Sequence, residues 1–274
     1  MKTLTVMLAV MFASVANVQA AAAPRIASIN PCVDAILMRV ADPEQIVGIS
    51  HYSQDPRATS IPIDVAMRFH ATSGTAEEIV FLAPDLVMSG PHVAPATILA
   101  LERMKIRIVK FPVAESVHQS LEQIRAIAAA VGHPERGAKL AAEIEGAVAR
   151  ARAPDEAPVS ALIWQGAGMV PGTGTLAAEL LGLTGFRNMS AEYGLKKWDV
   201  LPLEYLLNHP PAVVLTLSRA EAMSERMMSH PAVQELAKHV AFRPYPFRLL
   251  GCAGPNIIEA TARLADIRRE LVKQ

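Results

Sequence analysis

The chain has 274 residues, 51% of them hydrophobic and 5% aromatic, and its 26 Lys and Arg balance its 26 Asp and Glu. A net charge of zero excludes a nucleic-acid binder or a polybasic membrane-surface protein held by bulk electrostatics. A charged fraction of 19% beside abundant Leu, Ile, Val and Ala excludes disorder and supplies apolar surface for one or two domains.

Lys2 precedes an almost unbroken apolar run from Leu4 to Val15, and Val18-Gln19-Ala20 follows it. The run is shorter than the roughly 20 residues of a membrane-spanning helix, and small residues at 18 and 20 suit cleavage after Ala20. Residues 1–20 therefore read as a Sec signal peptide. No Cys follows the cleavage position, so the mature chain is expected to be a free periplasmic or secreted protein without a lipid anchor. Cys32 and Cys252 are the two cysteines. An oxidising compartment permits a disulfide between them; two buried small hydrophobes or two soft metal ligands are the alternatives.

Arg25-Ile26-Ala27-Ser28-Ile29 predicts a short buried strand, broken at Asn30-Pro31 before Val33, Ile36, Leu37 and Val40 repeat at helical spacing. Further strands are predicted at Ile46–Ile49, Leu86–Met88 and Ile106–Phe111, with helices near Ala76–Leu82 and Thr97–Met104. This alternation predicts a mainly parallel sheet with helices on both faces. From Val117 the spacing is helical through Leu121, Ile124, Ile127 and Val131, stops at Gly132-His133-Pro134, and resumes through Leu140, Ile144 and Val148.

Ala153 to Pro158 carries prolines and acids that mark a boundary. Beyond it α/β alternation restarts: a strand at Val159–Trp164, helices at Thr175–Leu183 and Leu203–Asn208, a strand at Val213–Leu217, a last strand at Arg248–Leu250, and a helix over Asn256–Val272. The predicted organisation is an α/β fold of two lobes, residues 24–133 and 158–274, separated by a helical segment over 134–153. An internal echo supports the two halves. Glu77 to Val87 and Glu204 to Val214 both start with Glu, place a proline seven residues later and end in a buried strand. A generic helix-Pro-strand connection would have the same spacing.

Enzymatic signatures are missing: no G-x-S-x-G, no H-E-x-x-H and no C-x-x-C occurs. Gly172-Thr173-Gly174-Thr175 opens a helix without the Lys of a phosphate loop and reads as a tight strand-to-helix turn. The eight histidines are scattered, unlike a local zinc tract, so no metal site of the protein's own is expected. His51 with Tyr52, His70 and His92 lie in loops on this strand assignment, His51 and His92 just past strand ends, where open α/β sheets bind ligands. Trp164 ends the first strand of the second half and Trp198 precedes Leu201-Pro202-Leu203-Glu204, so both are candidate cleft aromatics. Arg68 and Arg219 are candidate partners for an anionic ligand.

Taken in order, Arg25 to Pro31, Ile46 to Ser53, Glu77 to Val87, Leu176 to Asn188 and Glu204 to Val214 resemble the periplasmic substrate-binding proteins of importers for cobalamin and iron chelates. That resemblance implies two Rossmann-like lobes joined by one rigid helix, with the ligand in the cleft between them. It also implies capture of a cobalt- or iron-containing chelate and delivery to an ABC importer permease with its cytoplasmic ATPase. The protein would be a monomeric binder with no intrinsic cofactor, not an enzyme. Ser50-His51-Tyr52-Ser53 and Trp198 resemble the cobalamin branch, so a corrinoid is the first choice, with siderophore and haem relatives on the same scaffold. Tyr52, His51, His92, Trp164, Trp198 and Arg219 are the expected ligand contacts. Glu77 and Glu204 match the family's transporter-docking glutamates, with Glu78 as the alternative in the first lobe. A secreted hydrolase-like enzyme using His51 or His92 as a base, and a binder of free metal ions, are the alternatives from other classes.

Overall fold

The computed structural model describes residues 23–153, 157–216 and 230–273. The expected signal peptide, Leu217 and Arg219 lie outside the described residues, as do positions 154–156 of the expected boundary.

The first half opens with β1 (Ile26–Ser28), buried throughout. Asn30 ends it and caps α1 (Pro31–Val40), its side chain accepting from the Cys32 amide while Pro31 occupies the first helical turn. The chain continues through β2 (Ile46–Ser50), α2 (Ile63–Ala66), β3 (Ala71–Thr72), α3 (Ala76–Leu82), β4 (Leu86–Ser89), α4 (Pro95–Arg103) and β5 (Arg107–Lys110). These strands form one parallel sheet in the order β3-β2-β1-β4-β5. Connections run outward in opposite directions from β1, so the strand order switches between β1 and β4, where a crevice opens at the carboxyl edge.

Two helices follow, α5 (Val117–Ala130) and α6 (Pro134–Ala151). Gly132 and Pro134 break what would otherwise be one rod. Helix α6 buries Gly137, Leu140, Ala141, Ile144, Ala147 and Ala151 along one stripe. Gly137 lets α6 lie close on α5: a Cβ built there would sit 2.4 Å from that of Ala128.

The second half contains β6 (Val159–Trp164), β7 (Met169–Pro171), α7 (Leu176–Leu183), β8 (Phe186–Asn188), α8 (Met189–Glu192), β9 (Trp198–Val200), α9 (Leu203–Asn208), β10 (Val213–Thr216), α10 (Pro231–Leu236), β11 (Ala241–Pro244) and α11 (Asn256–Val272). Its parallel sheet has the order β11-β10-β6-β8, and β7 pairs antiparallel with β9. The expected strand at Arg248–Leu250 is not formed. Phe247–Leu249 is a 3-10 turn, and the last parallel strand is β11. Three apolar-flanked residues are too few to separate the strand period from the helical one.

One hydrophobic core runs through both halves, joining Ile26, Leu37 and Leu86 of the first to Ala161, Val213 and Ile267 of the second through Leu140 and Ile144 of α6. Helix α6 packs on α5 on one side and α11 on the other. The two lobes are also joined covalently, because Cys32 at the start of α1 and Cys252 before α11 form a disulfide with Cα atoms 5.1 Å apart. Among the described residues no helix is long and apolar enough to cross a membrane.

The bridge closes a loop over a sequence separation of 220. Its loss should release considerable unfolded-chain entropy, so replacing both cysteines by Ser is expected to lower stability by about 2 to 4 kcal/mol. Denaturant midpoints that coincide for the two proteins under oxidising conditions would contradict this.

Candidate functional site

A cavity of about 710 Å³ lies between the halves. Its first wall is made by residues that follow the carboxyl ends of β1, β2 and β4: Asn30, His51, Tyr52 and His92. The other wall comes from the turn before α7, from Lys197 and Trp198, and from Phe247 with the segment Leu250 to Ala253. The Cys32–Cys252 disulfide is part of this lining. The size suits a drug- or cofactor-sized molecule, and the strand-end position is where open parallel sheets bind ligands.

The loop after β2 is tightly held. Asp34, fully buried in the first turn of α1, accepts from the Ser50 amide (2.9 Å) and the Ser53 hydroxyl (2.6 Å) through one carboxylate oxygen. Those two residues bracket His51 and Tyr52, so Asp34 fixes the 3-10 turn that presents both rings. His51 and Tyr52 lie with ring centroids 4.1 Å apart, and Tyr52 is 54% exposed. His51 Nδ1 lies 3.2 Å from the Thr72 carbonyl. A carbonyl only accepts, so Nδ1 is the donor in this contact. This contact fixes the ring of His51 where it lines the cavity.

In the second half, Gly172 permits the turn before α7, since a Cβ there would stand 2.3 Å from the Leu195 carbonyl oxygen. Thr175 caps α7 by accepting from the Ala178 amide, in accord with a strand-to-helix turn. Trp198 begins β9, lines the cavity and is 39% exposed. Trp164 does not line it: this residue is 4% exposed and packs with Leu162, Val170, Met189, Leu201 and Leu206. Its strand, β6, is interior to the sheet, and both faces of such a strand are covered. Arg68 and His70 are exposed and absent from the lining, Arg68 lying 3.8 Å from Asp64. Arg219 lies outside the described residues.

The two acids of α3 differ in their surroundings. Glu78 accepts from the Thr72 hydroxyl, the Ser73 amide and the Ser73 hydroxyl, which hold its carboxyl below the usual range. Glu77 is exposed and makes no ion pair among the described residues, and the same holds for Glu204 in the first turn of α9. The echo between the halves extends to packing, since Ile79 and Leu206 occupy matching positions and are both buried.

The model of a family described as periplasmic binding protein matches residues 26–238. The chain belongs to that family. Its members are binding proteins of the periplasm, and the two-lobed α/β architecture with a helical connection is their fold. No curated protein matches the chain. Among solved structures, the periplasmic vitamin B12 binding protein BtuF of Vibrio cholerae is similar with a TM-score of 0.71 and 20% identity, over 92% of this chain and 99% of that one. The periplasmic haem-binding protein HutB of Vibrio cholerae gives 0.72 and 18%, over 89% and 98%. The apo form of the periplasmic haem-binding protein RhuT from Roseiflexus sp. RS-1 gives 0.67 and 22%, again over 89% and 98%.

Asp34, which supports the lining, is one residue that periodicity did not single out. Its signal was an acid on the buried stripe of a helix, between Val33 and Ile36. Burial pushes its carboxyl up to about 7, against the lowering effect of the Ser28, Ser53 and Ser50 groups around it. The folded protein therefore holds this proton up to about pH 7, while the unfolded chain releases it near pH 4. The stability that Asp34 contributes is fullest below about pH 4 and is lost as pH rises through about 7. Asp34→Asn should flatten this part of the profile, raising stability at pH 8 relative to pH 4 by on the order of a few kcal/mol compared with wild type. Parallel stability curves for the two proteins over that range would contradict it.

Proposed function

We propose that this chain captures a cobalt- or iron-containing chelate in the interlobe cavity and hands it unchanged to an ABC importer in the membrane. One observation carries the proposal: a cavity of about 710 Å³ at the carboxyl ends of the strands, into which the His51–Tyr52 pair and Trp198 are built from opposite lobes. Aromatic faces suit a large planar ligand, and an imidazole side chain suits its metal. Similarity to binding proteins for vitamin B12 and for haem supports the same class of cargo. The apolar run Leu4–Val15 supports export through the Sec pathway with cleavage near Ala20, which delivers a soluble monomer to the periplasm.

Visible absorption after mixing the purified mature protein with cyanocobalamin, haem and ferric siderophores tests this directly. A saturable one-to-one spectral change is expected with one of them, and none with any would overturn the proposal. Replacing Trp198 by Ala should weaken that binding by about 1 to 3 kcal/mol through lost aromatic burial. Unchanged affinity by calorimetry would return Trp198 to a packing role.

Glu77 and Glu204 are assigned to the importer, one exposed carboxylate on each lobe. Two contacts made at once render the second intramolecular, so each glutamate counts for more than an isolated surface ion pair. Glu77→Ala and Glu204→Ala should each leave chelate affinity intact and lower uptake several-fold, with docking weakened by salt. Wild-type uptake in the double variant would remove the assignment. Glu78 is already committed to Thr72 and Ser73, so Glu78→Ala should loosen that loop instead.

A further inference from the structure

The described lining of the cavity contains two residues that carry a full charge at neutral pH, Lys197 and Glu115. They come from opposite lobes and form an ion pair across the cavity. Both side chains remain substantially open to solvent. Lys197 is held from its backbone: its amide donates to the Thr173 carbonyl (2.8 Å) and its carbonyl accepts from the Gly172 amide (2.6 Å). Its φ of 57° lies in the left-handed region, which residues with a side chain seldom occupy. Its ammonium also donates to the Gly174 carbonyl at 3.2 Å. Trp198 is the next residue.

We infer that Lys197 is the anion-recognising residue of the cavity, parked on Glu115 when the site is empty and transferred to a carboxylate at the edge of the incoming chelate. The inference rests on the chelate-binding function proposed above and narrows its ligand class to planar metal chelates bearing peripheral carboxylates. An ammonium exchanging one solvated carboxylate for another loses little, because such an exposed pair is weak to begin with. A neutral chelate offers Lys197 no second carboxylate, so the pair with Glu115 stays as it is and gives that ligand no advantage. The adjoining Trp198 supplies the face contact and Lys197 the edge contact, which together read both features of one molecule.

The consequence has opposite signs at the two residues. Ferric protoporphyrin IX and its dimethyl ester present the same ring with and without free carboxylates. Lys197→Met should weaken binding of the diacid at least about tenfold and leave the ester within about twofold, as expected for loss of one charge-assisted contact. Glu115→Gln removes the competing carboxylate and should strengthen the diacid about threefold. Lys197→Asn, which tolerates the left-handed backbone, repeats the test if the Met variant folds poorly. Loss of affinity for both porphyrins in both variants would mean that the pair is only a latch between lobes, and unchanged affinity throughout would mean that it is a surface pair. Either result overturns the inference and leaves chelate binding standing. Wild-type protein that binds cyanocobalamin but neither porphyrin overturns it too, whereas failure to bind any chelate defeats the proposed function itself.

Discussion

Helix α6 is buried on the side that both lobes share, and the rest of the molecule depends on that packing. Leu140 and Ile144 belong to a hydrophobic core that continues into residues of each sheet. A hinge here would have to pull apart close-packed apolar surface, which proteins resist because their interiors pack like crystals. The disulfide between Cys32 and Cys252 adds a covalent tie close to the cavity floor. Hydrogen bonds reinforce it, with the Ser120 hydroxyl accepting from Gly254 and Glu179 accepting from the Val117 amide at 2.7 Å. These contacts oppose a change in the cavity's width by domain motion.

Side chains of the cavity wall are positioned by their neighbours. Asp34 holds the turn of His51 and Tyr52, the Thr72 carbonyl holds the His51 ring through Nδ1, and the glycine loop before α7 clamps Lys197. The described wall is mostly apolar, and a solvent-open ion pair lies across it. Opposing charges in the empty site also avoid leaving an isolated charge in the cleft. Recognition then becomes an exchange of partners in which Glu115 returns to solvent, a small loss for an exposed carboxylate.

Much of the architecture was legible in the sequence. Buried parallel strands announce themselves as short apolar runs, and proline and glycine breaks placed α3, α6, α7 and α11 within a few residues. Strand-end placement put His51, Tyr52 and His92 in the cavity lining. Short segments were harder. Arg248–Leu250 turned out to be part of a 3-10 turn, and the edge strand β11, containing Phe242, Arg243 and Pro244, lacks an apolar run. Trp164 and Trp198 looked alike in the sequence, and what separates them is the neighbouring strand pairing, which buries one in the sheet interior and leaves the other on a two-stranded ribbon. Lys197 and Glu115 are 82 positions apart and meet only through the lobes' relative placement, which no local pattern encodes. Asp34 was visible as a residue but not as a role, because an acid in a helix's first turn is usually a dipole partner.

The most direct test of a preformed chelate site between rigidly joined lobes is amide hydrogen exchange with and without the chelate identified by absorption. Protection confined to segments 50–54, 90–94 and 197–198 and to the stretch around Cys252, with exchange across α6 unchanged, is the predicted result. Protection that spares these segments, or that spreads through α6 and the interlobe core, would contradict both the location of the site and its rigidity.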